Sequence, residues 1–327
     1  MHLVIPFAFC SSEGCRQTLR TLKLPHLEKL LRRLTPAPLD VGTELSLSAP
    51  HERALARVLN LPIEDGLIPW AAWQAQAAKL APEAISAWAF ITPCHWQAGA
   101  KQAAMSTAEL PDFTALESQT LLKAMQPYFE EDGITLYYQQ PSRWLARGEI
   151  FRGLATASLD RVAGRSVANW LPSASSALPL QRLQSEMQML FYSHPVNDAR
   201  EARDVPTVNS FWISGSGALS PTLQSLVASP RCGPLPTAEG ANAPTVITTL
   251  RAAALAEDWS GWASAWQALD AGECAALLAA LGQGESAQLT LCGERNAQTF
   301  NARQQNYLKR FMNLFGGQSA VAMLEQL

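Results

Sequence analysis

Apolar residues fall along this chain in two alternating arrangements. Short runs rich in β-branched and aromatic side chains are separated by longer stretches in which apolar positions recur every three or four residues, the pattern of a layered α/β protein. The short runs predict strands over 3–9, 87–92, 134–138, 208–214, 245–249 and 288–292, and a parallel or mixed sheet. The helical period predicts helices over 25–34, 51–59, 69–80, 116–127, 181–192, 259–281 and 298–315. Pro50 suits the start of the helix that carries His51 and Glu52.

Between these elements, 214–244 is crowded with Gly, Pro, Ser and Ala and has little helical or strand period after Val227, so it reads as a surface connection and a domain boundary. The stretch 35–50, with Pro36, Pro38 and Pro50, reads as a second loop. No internal repeat is visible. At 327 residues the chain has room for one elaborate domain or two smaller lobes, and two lobes are expected.

Composition narrows the function classes. Apolar residues make up 48% and charged residues 16%, which suits a packed globular chain rather than a disordered one. A formal net charge of −3, with no basic tract longer than Leu30-Leu31-Arg32-Arg33, argues against direct nucleic-acid or membrane binding. The apolar start from Met1 to Cys10 has no basic flank or small-residue cleavage site and is interrupted by Pro6, so a buried first strand is expected rather than a signal peptide. Six scattered cysteines (10, 15, 94, 232, 274 and 292) show no metal-ligand spacing, and reduced thiols in the cytoplasm are the simplest account.

Candidate chemistry sits in a few clusters. Ser193-His194-Pro195-Val196-Asn197-Asp198-Ala199-Arg200 would bring His194, Asn197 and Arg200 together as donors for a phosphate or carboxylate. The same residues equally read as a helix stop at Pro195, a cap at Asn197 or Asp198, and a solvated face. Asp160, Arg161 and Arg165 flank Gly164 and could form one pole of an anion site, or a surface ion pair. Cys94 and His95 cannot form a catalytic dyad if extended, because neighbouring side chains then point to opposite faces. Trp259, Trp262 and Trp266 share a helix face and are expected to pack in the core rather than stack on bases. Five histidines, none in a ligand spacing, and no Walker or nucleophile-elbow motif leave no cofactor or metal expected and no catalytic residue to name.

The strings Thr92-Pro93-Cys94-His95-Trp96, Leu159 to Arg165, Arg182 to Leu190, and His194 to Arg200 through Val208-Asn209-Ser210-Phe211-Trp212 resemble the RpfE-type regulatory protein family of bacteria, over nearly the whole chain. More remotely, 88–217 is similar to the inserted domain of archaeal-type cofactor-independent phosphoglycerate mutases, of the alkaline-phosphatase superfamily, through His194, Pro195, Asn197, Arg200 and Gly215-x-Gly217. The resemblance implies a layered mixed sheet with flanking helices, an alkaline-phosphatase-like core over 1–86 and 218–327, and an inserted α+β lobe over 87–217. It also implies departures. Such mutases follow the first strand with Asp-Gly and a later strand with Gly-Asp-His, both supplying metal ligands, where this chain has Cys10-Ser11-Ser12 and Gly293-Glu294-Arg295.

The implied function is a non-catalytic regulatory or scaffolding protein sensing a small phosphorylated or carboxylated ligand, with Asp160, Arg161, Arg165, His194, Asn197, Arg200 and Asn209 as the anion-binding set. The alternatives are a phosphoglycerate mutase or phosphohydrolase, and an accessory of DNA metabolism acting through a nuclease or regulator partner rather than on nucleic acid.

Overall fold

The structure, a computed structural model, describes residues 1–80, 86–99, 102–106, 109–172, 177–223, 244–302 and 320–327. Its contacts divide the chain into two compact units: Met1–Glu44, Ala49–Leu59 and Pro236–Leu327 in the first, Leu45–Ser48 and Asn60–Leu235 in the second. These junctions differ from the expected ones near residues 86 and 217. The reason is helix α4 (Trp70–Ala77), which packs on strands β3 (Trp88–Cys94) and β8 (Ser210–Gly217) and so brings the segment before residue 87 into the second unit.

In the first unit, β1 (His2–Ile5) runs parallel to both β9 (Pro244–Val246) and β10 (Gln288–Cys292). Antiparallel β11 (Ala297–Ala302) and β2 (Leu34–Pro36) complete the order β2-β11-β10-β1-β9. The alternation of the strands sorts the two faces. Leu3, Ile5, Leu289, Leu291 and Phe300 enter one core with helices α1 (Glu13–Thr21), α2 (Pro25–Arg33), α9 (Arg251–Leu255), α10 (Trp259–Leu269), α11 (Ala275–Gly282) and α12 (Ala320–Leu324). On the other face Val4, Cys292 and Ala297 meet Ala54 of α3 (Pro50–Val58). The unit is thus a mixed sheet with helices on both sides.

Two expectations are corrected here. The continuous helix over 259–281 is interrupted by a π-helical turn, Asp270–Cys274. That wider turn aims the buried Asp270 carboxylate at the start of α2, where it accepts from Leu27 N at 2.7 Å and His26 N at 3.2 Å, supplying a cap that α2's own N-cap residue, Leu24, cannot. Residues 298–302 of the expected helix over 298–315 are strand β11, because Phe300 alternates with Thr299 and Asn301 in register with β10; 303–315 lie outside the described residues.

The second unit is built on an antiparallel sheet, β6-β7-β3-β8, with β6 (Thr135–Gln140) and β7 (Arg143–Arg147), plus a small β4–β5 pair (Trp96–Ala98, Ala103–Met105). Helices α5 (Ala115–Glu131) and α7 (Leu178–Tyr192) bury Leu121, Met125, Phe129, Leu183, Met187 and Phe191 against Ile91, Trp144, Phe211 and Ile213. Thr114 and Glu117 form a reciprocal capping box at the start of α5. Strand β8 bulges opposite β3, between the register pairs Trp88↔Gly217 and Phe90↔Ser214. Gly215 takes φ +60 there, so the Gly215-x-Gly217 string serves the strand's own geometry. No helix among the described residues is long and apolar enough to cross a membrane.

Candidate functional site

The carboxyl ends of parallel strands are where open α/β sheets place ligands. At that end of β1, the backbone turns through Phe7, held in the left-handed region at φ +56, a strained conformation for a bulky side chain. The loop is fixed from several sides. The indole N–H groups of Trp262 and Trp266 donate to the carbonyls of Phe7 (2.9 Å) and Ala8 (3.3 Å), and Ala8 N donates to Cys292 O at 2.8 Å. The tryptophan stripe is therefore core, with Trp262 and Trp266 fully buried, and its polar tips position the β1–α1 loop.

Beyond that loop, Ser11 meets Glu294, which follows β10. Ser11 N donates to Glu294 Oε2 at 3.2 Å and Ser11 Oγ donates to the same oxygen. The two stretches that the resemblance marks as ligand-bearing thus do come together, and they do so as a hydroxyl–carboxylate pair. Ser12 caps α1 by accepting from Cys15 N. The Cys10 thiol donates to the Cys15 sulfur, and this lowers the Cys15 pKa against the opposing effect of burial. Among the described residues no three His, Cys, Asp or Glu side chains are placed to hold a metal ion together.

The residues singled out for anion binding lie in the second unit and are engaged within the protein. Arg200, on α8 (Pro195–Glu201), is wholly buried. Its guanidinium donates to the carbonyls of Pro206 (2.8 Å), Pro111 (2.8 Å) and Asp112 (3.4 Å) and contacts Glu117 at 3.3 Å. Arg203 also pairs with Glu117. Burial would raise the Glu117 carboxyl, but its hydrogen bonds to Thr114 and the two arginines hold it below the usual range. Asn197 is equally occupied, donating to Phe191 O (2.8 Å) and Val208 O (2.7 Å) and accepting from Val208 N (2.8 Å). His194 caps α8 through Nδ1, and partial burial lowers its pKa. Asn209 bridges to Trp96 N and O at 2.7 and 2.8 Å, continuing the β3–β8 pairing past the strand end. Arg161 is buried, donating to Ser46 O at 2.9 Å with its guanidinium 5.1 Å from the centre of the Trp170 ring. Asp160 is half-buried and Arg165 exposed. The structure brings His194, Asn197 and Arg200 together on one short helix and its cap: His194 caps the helix locally, while Asn197 and Arg200 act as clamps between elements.

Cys94 and His95 diverge as the extended backbone requires. Cys94 is buried, and desolvation pushes its thiol far up, while His95 Nδ1 donates to Thr207 O at 2.8 Å. Elsewhere in the first unit, α3 leaves the amino end of the sheet uncovered, and a cleft of about 460 Å³ opens there, lined by His2, Asp40, Arg57, Gln288 and Asn301. Burial would raise the Asp40 carboxyl, but the Arg57 hydrogen bond and the Arg53 and Arg57 charges hold it below its ordinary range.

No protein-family model matches the chain, and no curated protein does. Among solved structures it is similar to the PH0037 protein from Pyrococcus horikoshii, at 11% identity and TM-score 0.49, over 92% of this chain and 86% of that one. It is also similar to a cofactor-independent phosphoglycerate mutase from Thermoplasma acidophilum, at 11% identity and TM-score 0.37, over 99% and 98% of the two chains.

Proposed function

We propose that this protein is a non-catalytic regulatory or scaffolding protein of the RpfE type, acting in the bacterial cytoplasm on an alkaline-phosphatase-like scaffold, and that it senses a small phosphorylated or carboxylated ligand. One observation carries the reading: Glu294 spends an oxygen on both Ser11 donors at the strand ends. A nucleophilic hydroxyl needs a base to take its proton, a place Glu294 can fill, and a positive group to stabilise the transferring phosphoryl, which neither Ser11 nor Glu294 supplies. Here Ser11 is turned into Glu294, and its backbone N–H reinforces the same contact. The arrangement suits a rigid strut. The clamps at Asn197, Arg200 and Asn209 support the same view, since they commit the longest motif strings to holding the second unit's shape.

The test is an assay of the full chain, supplied with Mn²⁺ or Zn²⁺, for phosphoglycerate interconversion and phosphomonoester hydrolysis, alongside Ser11→Ala and Glu294→Gln. The expected result is no turnover that depends on either residue. Turnover abolished by either substitution would overturn the proposal and make the mutase or phosphohydrolase reading the better one.

A further inference from the structure

The second unit holds a half-buried cation that no anion among the described residues answers. Arg143 opens β7 and shares a sheet face with Leu145 and, through the Phe90↔Leu145 register pair, with Phe90 of β3. Its guanidinium lies 5.0 Å from the Phe90 ring centroid. Its Nε is buried without a hydrogen-bond partner, and among the described residues no carboxylate reaches it. Burial lowers its pKa with nothing opposing. Taking even part of a charge out of water unpaired is costly, and a stacked ring returns only some of that cost. A side chain left in that state implies a counter-charge supplied from outside.

The neighbours supply the rest of a binding site. A Cβ on Gly215 would sit 3.0 Å from both Phe90 Cδ2 and Trp70 Cβ, so the absence of a side chain at Gly215 lets Trp70 of α4 and Phe90 close together. Trp70 Nε1 is buried and has no hydrogen-bond partner among the described residues. The bulge in β6 between Tyr138 and Gln140 sets two residues, Gln139 and Gln140, opposite Arg143. Gln139 Oε1 is a buried acceptor without a donor among the described residues. Four residues along β7 on the same face, Arg147 stacks on Tyr137 at 5.9 Å and adds a second positive charge.

We infer that this face binds a small phosphate or carboxylate bearing a neighbouring hydroxyl: the Arg143 guanidinium takes the anionic oxygens, and Gln139, set opposite it by the β6 bulge, accepts from the hydroxyl. The inference rests on the reading above only in giving the anion a regulatory role. Planar, delocalised guanidinium over an aromatic face is suited to bidentate oxyanion capture.

The test is thermal unfolding of the full chain with inorganic phosphate and with glycerol 3-phosphate, against sodium chloride at equal ionic strength. Phosphate is expected to raise the wild-type midpoint by at least roughly 2 °C, and glycerol 3-phosphate more. Arg143→Met should abolish both rises while leaving the ligand-free midpoint unchanged or higher, because it removes an uncompensated charge. Gln139→Met should remove only the advantage of glycerol 3-phosphate. Should Arg143→Met fail to fold, Arg143→Lys, which keeps the charge and loses the fork, should weaken the response at least about tenfold in concentration. A wild-type midpoint that moves no further with phosphate than with chloride, or an unaltered phosphate response in the Arg143 variant, would overturn the inference. Either result leaves the turnover assay on Ser11 and Glu294 untouched, so the two proposals fail separately.

Discussion

His2 shows how a single side chain couples this fold to pH. It is buried on the α3 side of the sheet, with Nε2 2.9 Å from Thr290 Oγ1. Burial, assisted by the nearby N-terminal ammonium, pushes its pKa down to about 4 from 6.5. Between those two values the unfolded chain takes up a proton that the folded chain refuses, so stability is full above pH 6.5 and falls as pH drops toward 4. The size is about 3 kcal/mol, and below pH 4 this contribution levels off. Urea denaturation midpoints of wild type and His2→Gln across that window should converge on the acid side, the variant starting lower and losing less. Equal slopes would show that His2 does not titrate in this way. At this scale the sequence is a poor guide to role. The donors of Arg200 and Asn197 are visible in it, but the carbonyls of Pro111, Phe191 and Val208 that consume them are set by chain crossings no local pattern encodes. Arg143 carries no marker in the sequence because its oddity, a charge with no mate among the described residues, exists only once the sheet has closed around it.

Elements were more legible where one face alone is buried. The expected strand over 288–292 coincides with β10, and helices α2, α3, α5 and α7 lie where apolar period and caps place them. Strands β7 and β11 escaped because polar residues stand in their pattern: Arg143 and Arg147 bracket the first, and Gln298, Thr299 and Asn301 surround Phe300 in the second. Helix α1 escaped because only Cys15 and Leu19 of its nine residues are buried. The β8 bulge offers a direct probe of element geometry. Gly215→Ala must hold a side chain at φ +60 and press on Phe90 and Trp70 at 3.0 Å, and should cost about 1–3 kcal/mol in chemical denaturation. A change near zero would mean that β8 can drop the extra residue without penalty.

The contacts group the chain into two units, and no local pattern ties α4 to the second of them, since its partners β3 and β8 are separated from each other by a long excursion; residues 224–243 of the expected surface connection lie outside the described residues. The second unit is nearly continuous in sequence and carries its own cores, around Phe129 and Phe211 and around Trp170 and Trp212. A fragment spanning 45–235 should therefore unfold cooperatively by itself, with near-ultraviolet dichroism from its buried tryptophans lost in one step. A broad, gradual loss would show that those cores need the rest of the chain. The first unit is the opposite case: β1 lies between β9 and β10, so that His2 faces Pro244 on one side and Gln288 on the other. During synthesis the amino-terminal strand leaves the ribosome long before either neighbour exists, and must wait with unmet backbone groups while the second unit has time to fold. Chaperone dependence in the cell should thus fall on the opening residues, and a translational pause before residue 244 would prolong their exposure.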